Sequence, residues 1–101
     1  MTRTWPDDWE SRKRHYLAHL ASASKPALLV AACDKRHNLV TLVADVRRHG
    51  VGYLDRFTGK PAQQIWYYRA FRDAVRHRIP RSLDDELAEL VEEFARLAQP
   101  T

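Results

Sequence analysis

The sequence predicts an all-α fold of about four to five helices in one small domain. Three observations carry that prediction. Apolar residues recur at helical spacing along nearly the whole chain. The five prolines and three glycines fall between those periodic stretches, at Pro6, Pro26, Gly50, Gly52, Gly59, Pro61, Pro80 and Pro100. No apolar–polar alternation of the kind a half-buried strand needs is present, nor an internal repeat or low-complexity segment.

Each helix has a readable start and stop. The first is expected from Pro6 to about Ser22, with Asp7, Asp8 and Glu10 at the positive end of its dipole. Trp9, Tyr16, Leu17 and Leu20 form its apolar face, and the stretch from Ser22 to Pro26 breaks it. The second is expected from about Pro26 to His49, with Gly50 as its C-terminal cap. Val51 to Phe57 reads as a short turn or helix ending at Thr58 and Gly59. The next helix is expected from Pro61 to about Ile79, stopped by Pro80. Ser82 then caps a last helix, with Asp85 three residues on in a capping-box pattern. Leu83, Leu87, Leu90, Val91, Phe94 and Leu97 give that helix an amphipathic stripe.

With 101 residues, 45% hydrophobic and 30% charged, the chain has the composition of a globular domain. Barrels and two-domain enzymes are excluded by length, and no apolar run approaches the roughly 18 residues of a membrane span. The single cysteine, Cys33, rules out a disulfide framework and a four-cysteine zinc site, and a cytoplasmic location is expected. Gly50 and Gly52 lack the third glycine of a dinucleotide-binding loop.

Charge is unevenly spread within a net +4. Residues 51–81 carry seven basic and two acidic side chains, whereas residues 82–101 carry one basic and six acidic. Pairing between the two segments is the expectation. Arg69, Arg72 and Arg76 share a helix face and are set against Glu86, Glu89 and Glu93. The alternative is a basic face kept for phosphates. The Trp66-Tyr67-Tyr68 triplet wraps around its helix and is expected to serve packing.

The second helix is the most informative. Its apolar run from Leu28 to Cys33 is expected to be buried on most sides, with Cys33 in the core and Asp34 partly buried. A buried carboxylate needs a cation, hydrogen-bond donors or a metal. At about 100° per residue, Asp34, Asn38, Thr41 and Asp45 fall on one polar line. Leu28, Ala32, Leu39, Leu42, Val43 and Val46 fall on a separate apolar stripe.

The run Asp34-Lys35-Arg36-His37-Asn38 resembles the Asp-Lys-Leu-His-Asn element of HD-domain metal-dependent phosphohydrolases, in the branch of RelA/SpoT-type alarmone hydrolases. Other blocks resemble that branch in the same order. They are Trp9-Glu10-Ser11-Arg12-Lys13, Ala44 to Gly50, Arg56-Phe57 with Gly59-Lys60, and Trp66-Tyr67-Tyr68-Arg69. The resemblance implies a partial HD-like helical bundle over residues 1–101. It also implies a divalent metal, manganese or similar, which activates water against a nucleotide phosphate. It makes Asp34 the metal ligand, Asp34 and Asn38 the catalytic candidates, and Arg12, Lys13, Lys35 and Arg69 candidate substrate contacts.

The chain contains no His-Asp dipeptide, although that pair and a further histidine complete the family's metal site. The expectation is therefore a C-terminal half, inactive alone. Its expected partner is a second copy or an N-terminal-half polypeptide covering an exposed apolar face, and a phosphorylated nucleotide is expected only if a complete site forms. His15 and His19, spaced i and i+4, are the other candidate metal pair, and both read more simply as surface residues. No motif points to nucleic acid, and no membrane partner is expected.

Overall fold

The computed structural model describes residues 7–56 and 61–98. Four α-helices follow one another: α1 (Asp7–Leu20), α2 (Lys25–His49), α3 (Pro61–Val75) and α4 (Arg81–Ala98). A 3₁₀ segment, Val51–Arg56, joins α2 to α3. No strand occurs among the described residues, so the fold is all-α. Pro6, Phe57, Thr58, Gly59 and Lys60 lie outside the described residues, and so do the roles expected of them.

The ends of α2 are set by local chemistry. Ser24 caps it, its hydroxyl oxygen accepting the Ala27 N–H at 3.3 Å. Pro26 sits in the first turn, where a missing N–H costs nothing. Gly50 ends it with φ 84°, which glycine adopts without strain, and donates its N–H to the Val46 carbonyl at 2.8 Å.

The later boundaries differ from expectation. Helix α3 stops at Val75 instead of running on to Ile79. His77 turns left-handed, with φ 65°, and its N–H is donated to the Asp84 carboxylate at 3.1 Å. The chain is thus bent out of the helix three residues before Pro80. Helix α4 begins at Arg81, so Ser82 lies inside it and does not cap it. The side chain that does the work there is Asp84, which is buried and holds the preceding turn. Helix α1 ends at Leu20, two residues early, in a run of i to i+3 turns.

Arg78 binds across those turns. Its guanidinium donates to the carbonyls of Leu20 at 2.8 Å and of Ala21 and Ala23 at 3.3 Å. One side chain therefore ties the α1–α2 corner to the end of α3. Charged hydrogen bonds contribute about 1.5–3 kcal/mol. Arg78→Ala is expected to lower the melting temperature by about 10 °C, because about 2 kcal/mol is lost from a domain of this size. Thermal melts followed by circular dichroism check this.

In the packing, α4 lies against both α2 and α3, and α1 lies against α3. All six residues of the expected α2 stripe are buried, from Leu28 to Val46. They meet Leu87, Val91 and Phe94 of α4 and Ile65, Phe71 and Val75 of α3 in one core. Aromatic rings join α1 to α3: Trp9 meets Trp66 at 6.1 Å, and Tyr16 stacks on Phe71 at 6.4 Å. The shortest dimension is 19 Å, about two helix diameters.

Two layers leave the far side of α2 uncovered, and here the sequence expectation fails. Leu29 is 41% exposed and Val30 70% exposed. Cys33 is exposed instead of buried. The Asp34 side chain is 62% exposed rather than partly buried. The run from Leu28 to Cys33 wraps the whole helix, while only the side bearing Leu28 and Ala32 meets other helices. An apolar run therefore did not imply burial all round.

Candidate phosphate-binding cleft

Helices α1, α2 and α3 converge on a cleft of about 290 Å³. From α1 come Trp9, Arg12 and Lys13; from α2, Lys35 and Asn38; from α3, Gln64, Tyr67 and Tyr68. Three of the eight lining residues are cationic and none is a carboxylate. The helical phase of α2 explains the meeting, because Lys35 and Asn38 lie between its buried stripe and its exposed side.

Aromatic rings hold the cations in place. The Lys13 ammonium lies 4.5 Å from the centre of the Tyr67 ring and 5.9 Å from that of Trp9. Lys35 lies 5.0 Å from the Tyr16 ring, 5.5 Å from Phe71 and 5.9 Å from Tyr67. Such contacts favour a cation over the ring face. The Lys35 side chain is only 12% exposed, and it donates a hydrogen bond to Asp34 at 3.4 Å. Desolvation lowers the Lys13 pKa below the ordinary lysine value, and the charges of Lys35 and Arg12 lower it further. Crowded cations of this kind are relieved by a bound anion.

The tyrosines of the wall are buried. Burial, with the Tyr16, Tyr68 and Asp34 charges behind it, raises the Tyr67 pKa well above the ordinary phenol range. Burial and the Asp34 charge push Tyr68 up to about 12. A raised native pKa stabilises the fold below pH 10, and that stability is lost as pH rises from the unfolded value towards the native one. Two of the four tyrosines, Tyr67 and Tyr68, are therefore expected to ionise only as the protein unfolds. Absorbance at the tyrosinate band, recorded with circular dichroism from pH 9 to 13, checks the coincidence.

A second cleft, of about 330 Å³, shares Asn38, Gln64 and Tyr68 with the first. His37, Thr41, Asp45 and Tyr53 line its other end, where the Tyr53 hydroxyl donates to the Asp45 carboxylate at 2.9 Å. The polar line Asn38–Thr41–Asp45 thus does line a cleft, as its phase implied, and Asn38 stands where the two clefts join.

Asp34 stands apart, on the exposed surface, with Lys35 as its ion-pair partner. Among the described residues no three His, Cys, Asp or Glu side chains gather into a set that could hold a metal ion. The described residues therefore do not by themselves fit the metal that the resemblance implies. His15 and His19 meet edge to face at 4.9 Å, and Asp34 is not grouped with them.

Arg69 is not in the cleft. Its guanidinium makes a two-pronged contact with Glu92, at 2.9 and 3.2 Å. It borders a roomier concavity of about 560 Å³ walled by Ile65, Trp66 and Ala98. That space is mostly apolar and its one cation pairs with Glu92, whereas the smaller cleft gathers three cations, of which Lys35 pairs with Asp34. The acidic α4 does pair with basic residues, but with α2 as well as α3. Glu86 meets Arg36 at 2.8 Å and Glu93 meets Arg47.

Arg12, Lys13, Lys35 and Asn38 are thus brought together on one cleft, Asp34 flanks it through its bond to Lys35, and Arg69 lies elsewhere. Gln64, Tyr67 and Tyr68 escaped the sequence reading as walls of a site. The aromatic triplet was legible only as packing, which Tyr67 and Tyr68 also provide. No helix among the described residues is long and apolar enough to cross a membrane. No family model and no curated protein matches the chain.

Proposed function

We propose that this chain is the C-terminal half of an HD-family phosphohydrolase, and that its cleft binds the phosphates of a nucleotide such as a guanosine polyphosphate. The observation that supports this is the convergence of Arg12, Lys13 and Lys35 on one carboxylate-free cleft beside Asn38. Guanidinium and ammonium groups bind phosphate through charge-assisted hydrogen bonds.

Binding without turnover is the expected behaviour of the chain alone. It has no His-Asp dipeptide, and Asp34 is a lone surface carboxylate. Any divalent metal, manganese included, would need ligands beyond those the described residues gather. Incubation of the pure chain with guanosine polyphosphates and manganese should release no phosphate above background. Release that Asp34→Ala abolishes would overturn the reading. A cytoplasmic location belongs to the same proposal and is supported by the single exposed cysteine, which forms no internal disulfide.

The outer side of α2 favours a second reading, a helical interaction module. Leu29, Val30 and Val40 are the large exposed apolar residues of the described surface, and all three lie on this helix. Such clustering marks association surfaces. A second copy or an N-terminal-half polypeptide would cover it. Sedimentation at micromolar concentration should show association that Val30→Lys weakens, whereas a clean monomer with a cooperative melt counts against this reading.

A further inference from the structure

We propose that Lys13 is an acylation site, which takes the acyl group of a small acyl phosphate docked in the cleft and thereby weakens anion binding there. The inference rests on the phosphate-binding reading of the cleft but not on the family assignment.

The geometry supplies both halves of the reaction. The phosphate end of the reagent needs fixed cations, and Arg12 and Lys35 line the same cleft as Lys13. The amine needs to be accessible and partly uncharged. Lys13 is half-buried and lines the open cleft. Burial and the neighbouring charges of Lys35 and Arg12 favour its neutral form. The Tyr67 and Trp9 rings beside the ammonium favour its charged form, but none of the eight residues lining the cleft is a carboxylate. The nearby acid, Asp34, is hydrogen-bonded to Lys35. Desolvation beside another cation is the arrangement that activates a lysine as a nucleophile.

The step balances without further reactants. The Lys13 nitrogen lone pair attacks the acyl carbon, the bond from that carbon to the phosphate oxygen breaks, and the amine proton leaves with the phosphate as hydrogen phosphate. The product is a neutral amide. One of three cations in the cleft is then gone, and its contribution to holding phosphate with it.

Lys25, exposed in the first turn of α2 and outside the cleft, is the internal reference. The full chain is treated with acetyl phosphate, and separately with a phosphate-free acetylating ester, and occupancy at each lysine is followed by peptide mass spectrometry. Lys13 should react at least about fivefold faster than Lys25 with acetyl phosphate, as an activated amine would. Inorganic pyrophosphate should protect Lys13 and not Lys25. Arg12→Gln, a surface change, should reduce the acetyl phosphate rate at Lys13 more than the ester rate. Equal rates at Lys13 and Lys25, or equal loss with both reagents in Arg12→Gln, would overturn the proposal. If guanosine polyphosphates do not bind while Lys13 keeps its protected excess, the functional reading falls and the acylation site stands. If they bind and Lys13 shows no excess, the reverse holds.

Discussion

Phe94→Ala is expected to remove about 3–5 kcal/mol, a large share of the stability of the protein. Phe94 is fully buried and meets Tyr68 edge to face at 5.8 Å. It sits on α4, the helix that touches both α2 and α3. Removing a buried phenyl ring costs about 3–5 kcal/mol, from lost transfer energy and the cavity left behind. A domain of this size has only about 5–15 kcal/mol in total. Phe94 belongs to the one core that α4 forms with α2 and α3, so the gap it leaves lies inside that core. Val30→Ala is the control. Val30 is 70% exposed, and the substitution should stay within about 0.5 kcal/mol of wild type. Urea titrations of both variants measure the contrast.

The largest functional effect is expected from reversing charge in the cleft. Arg12→Glu with Lys13→Glu replaces two of the three cations with carboxylates. Each charged contact to phosphate contributes about 1.5–3 kcal/mol, so affinity for a guanosine polyphosphate should fall by at least about 100-fold. Arg12 is exposed and Lys13 half-buried, so the fold should survive the change, and circular dichroism confirms it. Arg69→Gln provides the comparison. It breaks the contact with Glu92, an exposed ion pair of little energetic consequence, and should leave nucleotide affinity unchanged. Calorimetric titration of both variants separates a cleft-bound nucleotide from one that simply follows net positive charge.

The sequence made the core more legible than the surface. The α2 stripe from Leu28 to Val46 could be read because six buried residues at helical spacing leave one consistent phase. The exposure of Val30, Cys33 and Asp34 could not, because hydropathy of a helical run does not say how many of its sides have neighbours. Element ends behaved likewise. Gly50 announced the end of α2, since its conformation is local chemistry. The end of α3 was hidden, because it depends on Asp84 reaching back to the His77 N–H across the turn. At the site, Asn38 was placed by its phase alone. The joining of Arg12 and Lys13 to Lys35 needed the α1–α3 aromatic contacts, which bring helices far apart in sequence to one cleft. Pairing of Arg69 with the acidic last helix was legible from the charge split, but its partner, Glu92 and not Glu86, Glu89 or Glu93, depends on how α3 and α4 are set against each other.

The central claim is that anions enter between α1 and α2 and not elsewhere on this basic chain. The most direct measurement is a titration of the isotopically labelled protein with inorganic pyrophosphate, followed by two-dimensional nuclear magnetic resonance of amide and side-chain N–H groups. Saturable shifts confined to Arg12, Lys13, Lys35, Asn38 and Gln64 are the predicted result. Saturable shifts centred on Arg69, Arg72 and Arg76, or weak shifts spread over every arginine without saturation, would contradict it.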